Sequence, residues 1–363
     1  MKERINRIEI ERETYYMEAL NLNLDDCRYK VMIGTGGIGS GMFFQLNGDH
    51  TLGREESRSG YFLDKKDYCK LHIISHYVQR LLGKNFPVIP VGKVGNDDVG
   101  KKMLTELEET GFVMDFVEQS PNDQTLFSFC FIYPDGSGGN MTTSDSACSH
   151  VDSTFIAKAE SKFSQFSGQG VALAAPEVPL EARIKLLDLG TTYNFFRVAS
   201  FTSEEIGEAV NSDLFRQIDL VGINLDEAAA AVGMSVQDNT PKSIIEKAIN
   251  TLTKINPEIR ISVTHGKNGS WSWDGSILHQ IPVFPVQIQN TAGAGDAHLA
   301  GLIVGLTIGL SMQEAQLLAT LTGGSSVESP HTINHKTDRT SLRILADQSP
   351  GMVDKNVYKF LED

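Results

Sequence analysis

The chain has 363 residues, 40% of them apolar and 21% charged, the composition of an ordinary globular protein with room for one large α/β domain or two modest ones. Its formal net charge of -14 denies it the basic footprint that general binding to nucleic acid or anionic membranes requires. Cys27, Cys69, Cys130 and Cys148 lie far apart without a C-x-x-C pair, so reduced, mostly buried thiols are expected rather than a zinc site or disulfide framework. Met1-Lys2-Glu3-Arg4 leads into further charge instead of a signal peptide's apolar run, and no stretch approaches the ~20 apolar residues of a membrane span, so the expected location is cytoplasmic.

Residues 1–28 are rich in charge with scattered apolar positions (Ile5, Ile8, Ile10, Tyr15, Tyr16, Leu20). They read either as a short helix packed on the domain or as an arm toward another subunit, and a homodimer is compatible with the second reading. A first strand opens at 29–33 and runs into Gly34, Gly36, Gly37, Gly39 and Gly41. Residues 42–67, with Asn47-Gly48 and Leu52-Gly53, read as hairpin rather than helix. Leu71, Ile74, Val78, Leu81 and Leu82 recur at helical spacing. A strand at 88–91 follows, then a helix over 99–110 stopped by Gly111.

From 112 to 143 the pattern is strand-like, including 126–133 and the turn Pro134-Asp135-Gly136-Ser137. Apolar runs at 171–175, 193–199, 220–223 and 259–264 then alternate with helical stretches, which predicts a mostly parallel sheet covered on both faces. Strands at 270–273 and 277–281 precede one long apolar helical segment over 294–327. The expected organisation is an N-terminal extension (1–28), a doubly wound α/β domain (29–334) and a helical tail (335–363). Segments 42–67 and 112–143 would form a small β lid on that domain.

The most informative stretch is Asn290-Thr291-Ala292-Gly293-Ala294-Gly295-Asp296, where an extended segment turns into the apolar helix Ala297-His298-Leu299-Ala300-Gly301. Glycines there permit unusual backbone angles and leave the approach of a ligand open. Free N–H groups at a helix N-terminus attract anions, which suits a phosphoryl group in transfer. Asp296, in the first turn, could accept a hydroxyl proton at the same point. The same residues also describe an ordinary helix start with an N-terminal carboxylate.

This segment resembles the D-T-x-G-A-G-D signature of the ribokinase-like (PfkB) carbohydrate kinases. Val94-Gly95-Asn96-Asp97-Asp98-Val99-Gly100 is similar to the family's G-D-D-x-x-G segment, and Thr125 with Asp135-Gly136 and Asn140 to its lid hairpin. Glu177 matches an acidic strand-end residue that faces the substrate, Asn224-Leu225-Asp226-Glu227 the N-x-x-E motif, and Val263 to Gly269 the V-T-x-G-x-x-G motif. The ordered set runs from about residue 29 to 330.

The resemblance implies a kinase that uses ATP and Mg²⁺ on a small sugar-like substrate. Asp296 would be the base and the backbone of Gly293, Ala294, Gly295 and Asp296 the anion hole. Asn224, Thr264, Gly266 and Gly269 would line the nucleotide, and Asn224 and Glu227 would act near Mg²⁺, partly through water. Asn224-x-x-Glu227 also reads as a helix capping box, and both readings can hold together.

Departures from the family pattern fall at the substrate end and the ion site. Gly39 stands where a sugar-binding Asp is usual, close behind Gly37, and Leu71 to His76 replace the Gly-Gly-x-x-x-Asn signature. Asn290 replaces the first Asp of the signature, which weakens the case for a monovalent cation. Arg197 keeps its strand position without the usual Asp/Asn-Pro surroundings. His72 and His76, at i and i+4, share a helix face; a solvated face, contact with the acceptor and a metal pair are its three readings, in that order.

Two other classes were weighed against the kinase. Gly34-Thr35-Gly36-Gly37-Ile38-Gly39 fits the dinucleotide fingerprint, but residues 42–46 are too few for the crossover helix that fingerprint needs. A nucleoside kinase of the same family, or a non-catalytic sugar- or nucleotide-binding protein on the same fold, is the alternative reading. An intact Asp296 and its glycine loop argue against a pure binding protein.

Overall fold

Short runs rich in Val, Ile and Ala, bounded by turn residues, pair side by side, as such runs do once helices cover both faces of a sheet. The computed structural model describes residues 18–135 and 137–362, so expectations for residues 1–17 and for Gly136 lie outside the described residues. In chain order the strands are β1 (Val31–Thr35), β2 (Gly39–Leu46), β3 (Gly60–Tyr68), β4 (Val88–Gly95), β5 (Val117–Ser120), β6 (Leu126–Ile132) and β7 (Gly138–Thr142). They continue with β8 (Gly170–Ala174), β9 (Phe196–Ser200), β10 (Leu220–Asn224), β11 (Arg260–Thr264), β12 (Ser270–Trp273) and β13 (Leu278–Ile281).

Nine of them form the main sheet in the order β13-β12-β11-β10-β9-β8-β1-β4-β5. Pairing is parallel from β11 to β5, while β12 and β13 join antiparallel. Side-chain alternation splits the interior into two cores. Met32, Val88 and Leu173 pack on one face with the Lys70–Leu82 and Ala294–Thr307 helices. Val31, Ile33 and Ala172 pack on the other with the Leu180–Thr192 and Pro241–Ile255 helices.

A second sheet, β3-β2-β6-β7, makes the lid. Residues 39–46 are strand, not helix, which removes the dinucleotide fingerprint's structural context. The lid's second segment is shorter than 112–143: β5 pairs parallel with β4 at the edge of the main sheet. Phe112 is buried there and the Val113 N–H donates to the Val88 carbonyl at 2.9 Å, so hydrophobic anchoring assigns this stretch to the large sheet.

The single apolar helix expected over 294–327 is two helices, Ala294–Thr307 and Met312–Ser326. Gly309 ends the first with φ +88°. Ser311 and Glu314 form a capping box that starts the second. The pair folds back on itself at Gly301 and Gly305, where an added Cβ would come within 2.7 Å of Ala319 and Ala315.

Residues 18–28 and the tail pack onto the domain together. The Leu20 N–H donates to Leu81 O and the Asn21 N–H to Phe360 O, each at 2.9 Å, and Glu18 pairs with Arg339. Leu342, Leu345 and Leu361 of the tail join the first core. All four cysteines are free, and all but Cys130 are buried. Arg197 is held by Asp219 through bonds of 2.7 and 2.8 Å, a purely structural pair.

His72 and His76 do not form a solvated face: both are 3% exposed. The Lys70–Leu82 helix is buried on nearly every side, so the face next to the apolar stripe is also interior. His72 lies edge-on to Tyr68 and His76 to His335, and neither ring nitrogen of His76 has a hydrogen-bond partner. Burial pushes the pKa of His72 down to about 4 and that of His76 well below its usual value, so both are neutral.

A folded-state pKa depressed below the unfolded value near 6.5 means stability present above pH 6.5 and lost as pH falls below it. His76→Leu, close in volume, removes one such group. Its Tm is therefore expected to fall less than the wild-type Tm between pH 7 and pH 4.5, as read by scanning calorimetry.

Candidate active site

In open α/β sheets the carboxyl ends of the strands, where helices begin, are where ligands gather. Here the ends of β9, β10 and β11 and the start of the Ala294–Thr307 helix enclose a cavity of about 1000 Å³. Its walls bring together Asn224 and Glu227, then Thr264, Gly266 and Gly269, then Gly293, Ala294, Gly295 and Asp296. These are all the residues expected at the nucleotide, at the metal and in the anion hole.

Asn224 caps the helix that follows β10. Its Oδ1 accepts from the Glu227 N–H at 2.8 Å, and Glu227 Oε2 accepts from the Asn224 N–H at 2.9 Å. The capping-box reading therefore holds. The other carboxylate oxygen of Glu227, Oε1, takes an ion pair from Lys70 Nζ at 3.0 Å, and the same ammonium donates to Phe201 O at 2.7 Å.

Lys70 is the first residue of its helix, where a cation opposes the helix dipole by about 0.3–1 kcal/mol. Breaking a buried ion pair costs about 3–5 kcal/mol, so the carboxylate decides its position. Burial pulls the Lys70 pKa down, but Asp296 and Glu227 outweigh it and hold the pKa above its usual value.

Asp296 is partly buried beside this ammonium. Burial pushes its pKa up to about 6, Lys70 pulls it down, and Glu227 and Asp67 push it up. Glu177 stands behind, off the cavity wall, with φ +74° after β8 and an Oε2 that has no partner. Burial raises its pKa to about 7, against the pull of Lys70. Asp67, from the end of β3, is 9% exposed and accepts hydrogen bonds from Ser128 and Cys130 of β6.

Glycines shape the space between these groups. Gly293, φ +79°, caps the Asp296 helix in the left-handed region; the Ala294 N–H donates back to Thr291 O at 3.3 Å, which leaves the N–H groups of Gly295 and Asp296 toward the cavity. Gly295 has ordinary backbone angles, and a Cβ there would meet only Thr264 Oγ1 at 3.7 Å. Gly269, φ +89°, leaves no room at all, since a Cβ would collide with Ile281 O. Gly266, φ +49°, faces open space.

Gly37 and Gly39 have a different task from the one expected. A Cβ on Gly37 would strike Glu177 Oε2, and one on Gly39 would strike Leu126 O of the lid. Both positions admit close packing and present no polar group to a ligand. His72 and His76 are absent from the cavity wall, and their burial in the helical core removes them from acceptor contact and from a metal pair. The Asp97 carboxylate accepts from Thr125 N–H and Oγ1 and from Gly100 N–H, each at 2.7 Å, tying the end of β4 to the lid.

Residues 74–339 match the sequence profile of the pfkB family of carbohydrate kinases. The chain belongs to the pfkB family. The fructoselysine 6-kinase of Shigella flexneri is 32% identical over 68 residues, 19% of this chain and 26% of that enzyme. Alignments to the first curated relatives thus take in about a quarter of their length or less. Among solved structures, a ribokinase from Giardia lamblia superposes with a TM-score of 0.74 at 14% identity, over 89% of this chain and 100% of that one. A Cryptococcus neoformans ribokinase in complex with ADP gives 0.70 at 17% identity, over 88% and 99%. These likenesses establish the ribokinase-like fold.

Against that pfkB background, several polar residues of the site carry no motif in the sequence, Lys70, Asp67, Ser200 and His298 among them. Lys70 carried a signal, a cation at the dipole-disfavoured end of an apolar helix. Asp67 carried none, because its neighbours come from a lid strand some sixty residues away in sequence.

The glycine geometry separates structural from ligand-facing positions. Gly269→Ala is expected to lower Tm by about 3 °C or more, since left-handed backbone and a collision with Ile281 O act together. Gly295→Ala should leave Tm within a degree or so of wild type. Scanning calorimetry of the two variants reads the contrast.

Proposed function

We propose that this pfkB kinase transfers the γ-phosphoryl group of ATP to a hydroxyl of a sugar or sugar-like small molecule, with Asp296 as general base. The observation that carries the reading is the Asp296 carboxyl, with a pKa of about 6, at the first turn of a glycine-capped helix that opens on the cavity. A base poised near neutral pH can hold a hydroxyl proton in the transition state and still be ionised beforehand. ADP in the Cryptococcus ribokinase and the sugar acceptor in the name of the Shigella enzyme favour the same donor and acceptor class.

In this reading the nucleotide lies between the Thr264–Gly269 turn and the start of the Ala294–Thr307 helix. The acceptor hydroxyl gives its proton to an Asp296 oxygen as its own oxygen bonds to the γ-phosphorus. The bond to the β,γ-bridging oxygen breaks and ADP leaves. The Gly295 and Asp296 N–H groups face the charge on the transferring oxygens, and the Lys70 ammonium lies within the same field. Glu177, behind the cavity wall on the β8 side, bears on the acceptor through its charge on Asp296.

Mg²⁺, when bound with the nucleotide, supplies neutralisation of phosphate charge. The residues present fit it as water-mediated partners: the Asn224 and Glu227 side-chain oxygens are already engaged with N–H groups and Lys70. Among the described residues no group of three or more His, Cys, Asp or Glu is arranged to hold a metal directly. Asn290 does not fit a monovalent-cation site. Its Oδ1 accepts from the Ala292 N–H at 3.1 Å and its Nδ2 donates to Pro330 O at 3.0 Å, so it ties the loop and carries no charge.

Release of ADP across a panel of sugars, polyols and nucleosides tests the reading, with nucleoside turnover assigning the acceptor to that class instead. Asp296→Asn is expected to lower kcat about 10²–10⁴-fold while Mg-ADP affinity survives, because Asn still fits the helix start. Gly295→Val should weaken nucleotide binding as well. Wild-type turnover by Asp296→Asn would remove it as the base; nucleotide binding without any acceptor-dependent ADP release would favour the binding-protein alternative.

A further inference from the structure

Deep in the cavity lies a polar group that none of the described residues satisfies. His298 is 5% exposed, lines the cavity, and its Nε2 has no hydrogen-bond partner. Leaving such a group unpaired costs about 1–3 kcal/mol, a penalty that a ligand atom would relieve. Ser200 Oγ is also buried without a partner, but it ends β9 next to Phe201, whose carbonyl binds Lys70, and so belongs to the transfer end. The other polar side chains near His298 are engaged: Thr320 Oγ1 donates to Gln316 O at 2.8 Å, and Ser262 donates to Gln316 Oε1 at 3.2 Å.

Position along the helix says which part of a nucleotide would meet this nitrogen. His298 is the fifth residue of the helix whose first turn faces the phosphoryl group, about 4.5 Å of rise beyond Gly295. Its side chain lies by Gly323, where an added Cβ would be 3.4 Å from His298 Cβ. Gly323 and Gly324 present bare backbone to the cavity, and Phe284, Val286 and Val327 supply apolar wall around them. Backbone and apolar side chains suit the face of a flat heterocycle, whose edge then needs a hydrogen-bonding partner. Burial lowers the His298 pKa to about 4, so the ring is neutral and offers one donor and one acceptor rather than a charge for phosphate.

We infer that His298 is a specificity-determining residue that hydrogen-bonds the base of the bound nucleotide through Nε2, with Gly323 and Gly324 as the platform beneath that base. The inference rests on the kinase reading above, because it takes the cavity to hold a nucleoside phosphate with its phosphates toward Gly295. It adds to that reading the group that tells one base from another.

Titration calorimetry with ADP and, separately, inorganic tripolyphosphate tests it. His298→Phe keeps a flat ring and removes the hydrogen bond; its Kd for ADP is expected to rise about tenfold, with tripolyphosphate affinity changed less than about twofold. His298→Gln, which keeps a donor and an acceptor, should stay within about threefold of wild type for ADP. Each variant's Tm reports folding, and His298→Met serves the same arm if Phe is not accommodated. Unchanged ADP affinity in His298→Phe, or equal losses for ADP and tripolyphosphate, would overturn the assignment while leaving the kinase reading intact. Failure of the wild-type protein to bind ADP at all would overturn both.

Discussion

One ammonium organises the active site. Lys70 Nζ reaches Glu227 at 3.0 Å and Phe201 O at 2.7 Å, and its charge acts on Asp296 and Glu177 as well. Three carboxyl groups, Asp296, Glu227 and Glu177, act on this one cation, and Asp67 of the lid adds its charge to Asp296 and Glu177. Taking that many acids out of water is costly, and the cost falls on their protonation. The pKa values of about 6 for Asp296 and about 7 for Glu177 are the result. Without Lys70 the same burial would drive both higher and leave Asp296 more protonated at neutral pH.

The fold exists to bring these groups to one point. Parallel strands β8 to β11 end on the same edge and deliver Glu177, Ser200, Asn224 and Thr264 there, while the Lys70–Leu82 and Ala294–Thr307 helices pack against each other on one face. Lys70 and Asp296 sit in the first turns of those two helices, so burial of their apolar sides fixes the distance between cation and base. Glu177 holds a left-handed backbone, φ +74°, that non-glycine residues avoid; strain of this kind is stable only where surrounding structure enforces it. Gly37 makes room for it, since any side chain there would displace the carboxyl, and its N–H holds the preceding Pro176 carbonyl at 2.9 Å.

Much of this was legible in the residues. Strands β8 to β11 announced themselves as short apolar runs, and the glycine-rich turn before Asp296 as a helix start, because both signals are local in sequence. The Asn224–Glu227 capping box was local too. The failures share a cause of the opposite kind. His72 and His76 look amphipathic on a helical wheel, yet Tyr68, Phe112 and His335 cover that face, and only tertiary packing decides it. The break at Gly309 was readable from the Ser311-x-x-Glu314 pattern but was masked by continuous apolarity on either side. Phe112 to Ser120 looks like lid until β4 is seen to offer an open edge. Asp67 enters the site through a contact with Ser128 across the lid, a juxtaposition no local pattern encodes.

In the proposed reaction Lys70 keeps a desolvated Asp296 available as a base. A ¹³C-detected titration of the Asp296 carboxyl, assigned by its loss in Asp296→Asn, measures this without needing the acceptor. The account predicts a midpoint of about 6 in the free wild-type protein, moving upward in Lys70→Met because a favourable charge is gone. A midpoint near the ordinary aspartate value of about 4 in the wild type, or no upward movement in Lys70→Met, would contradict it.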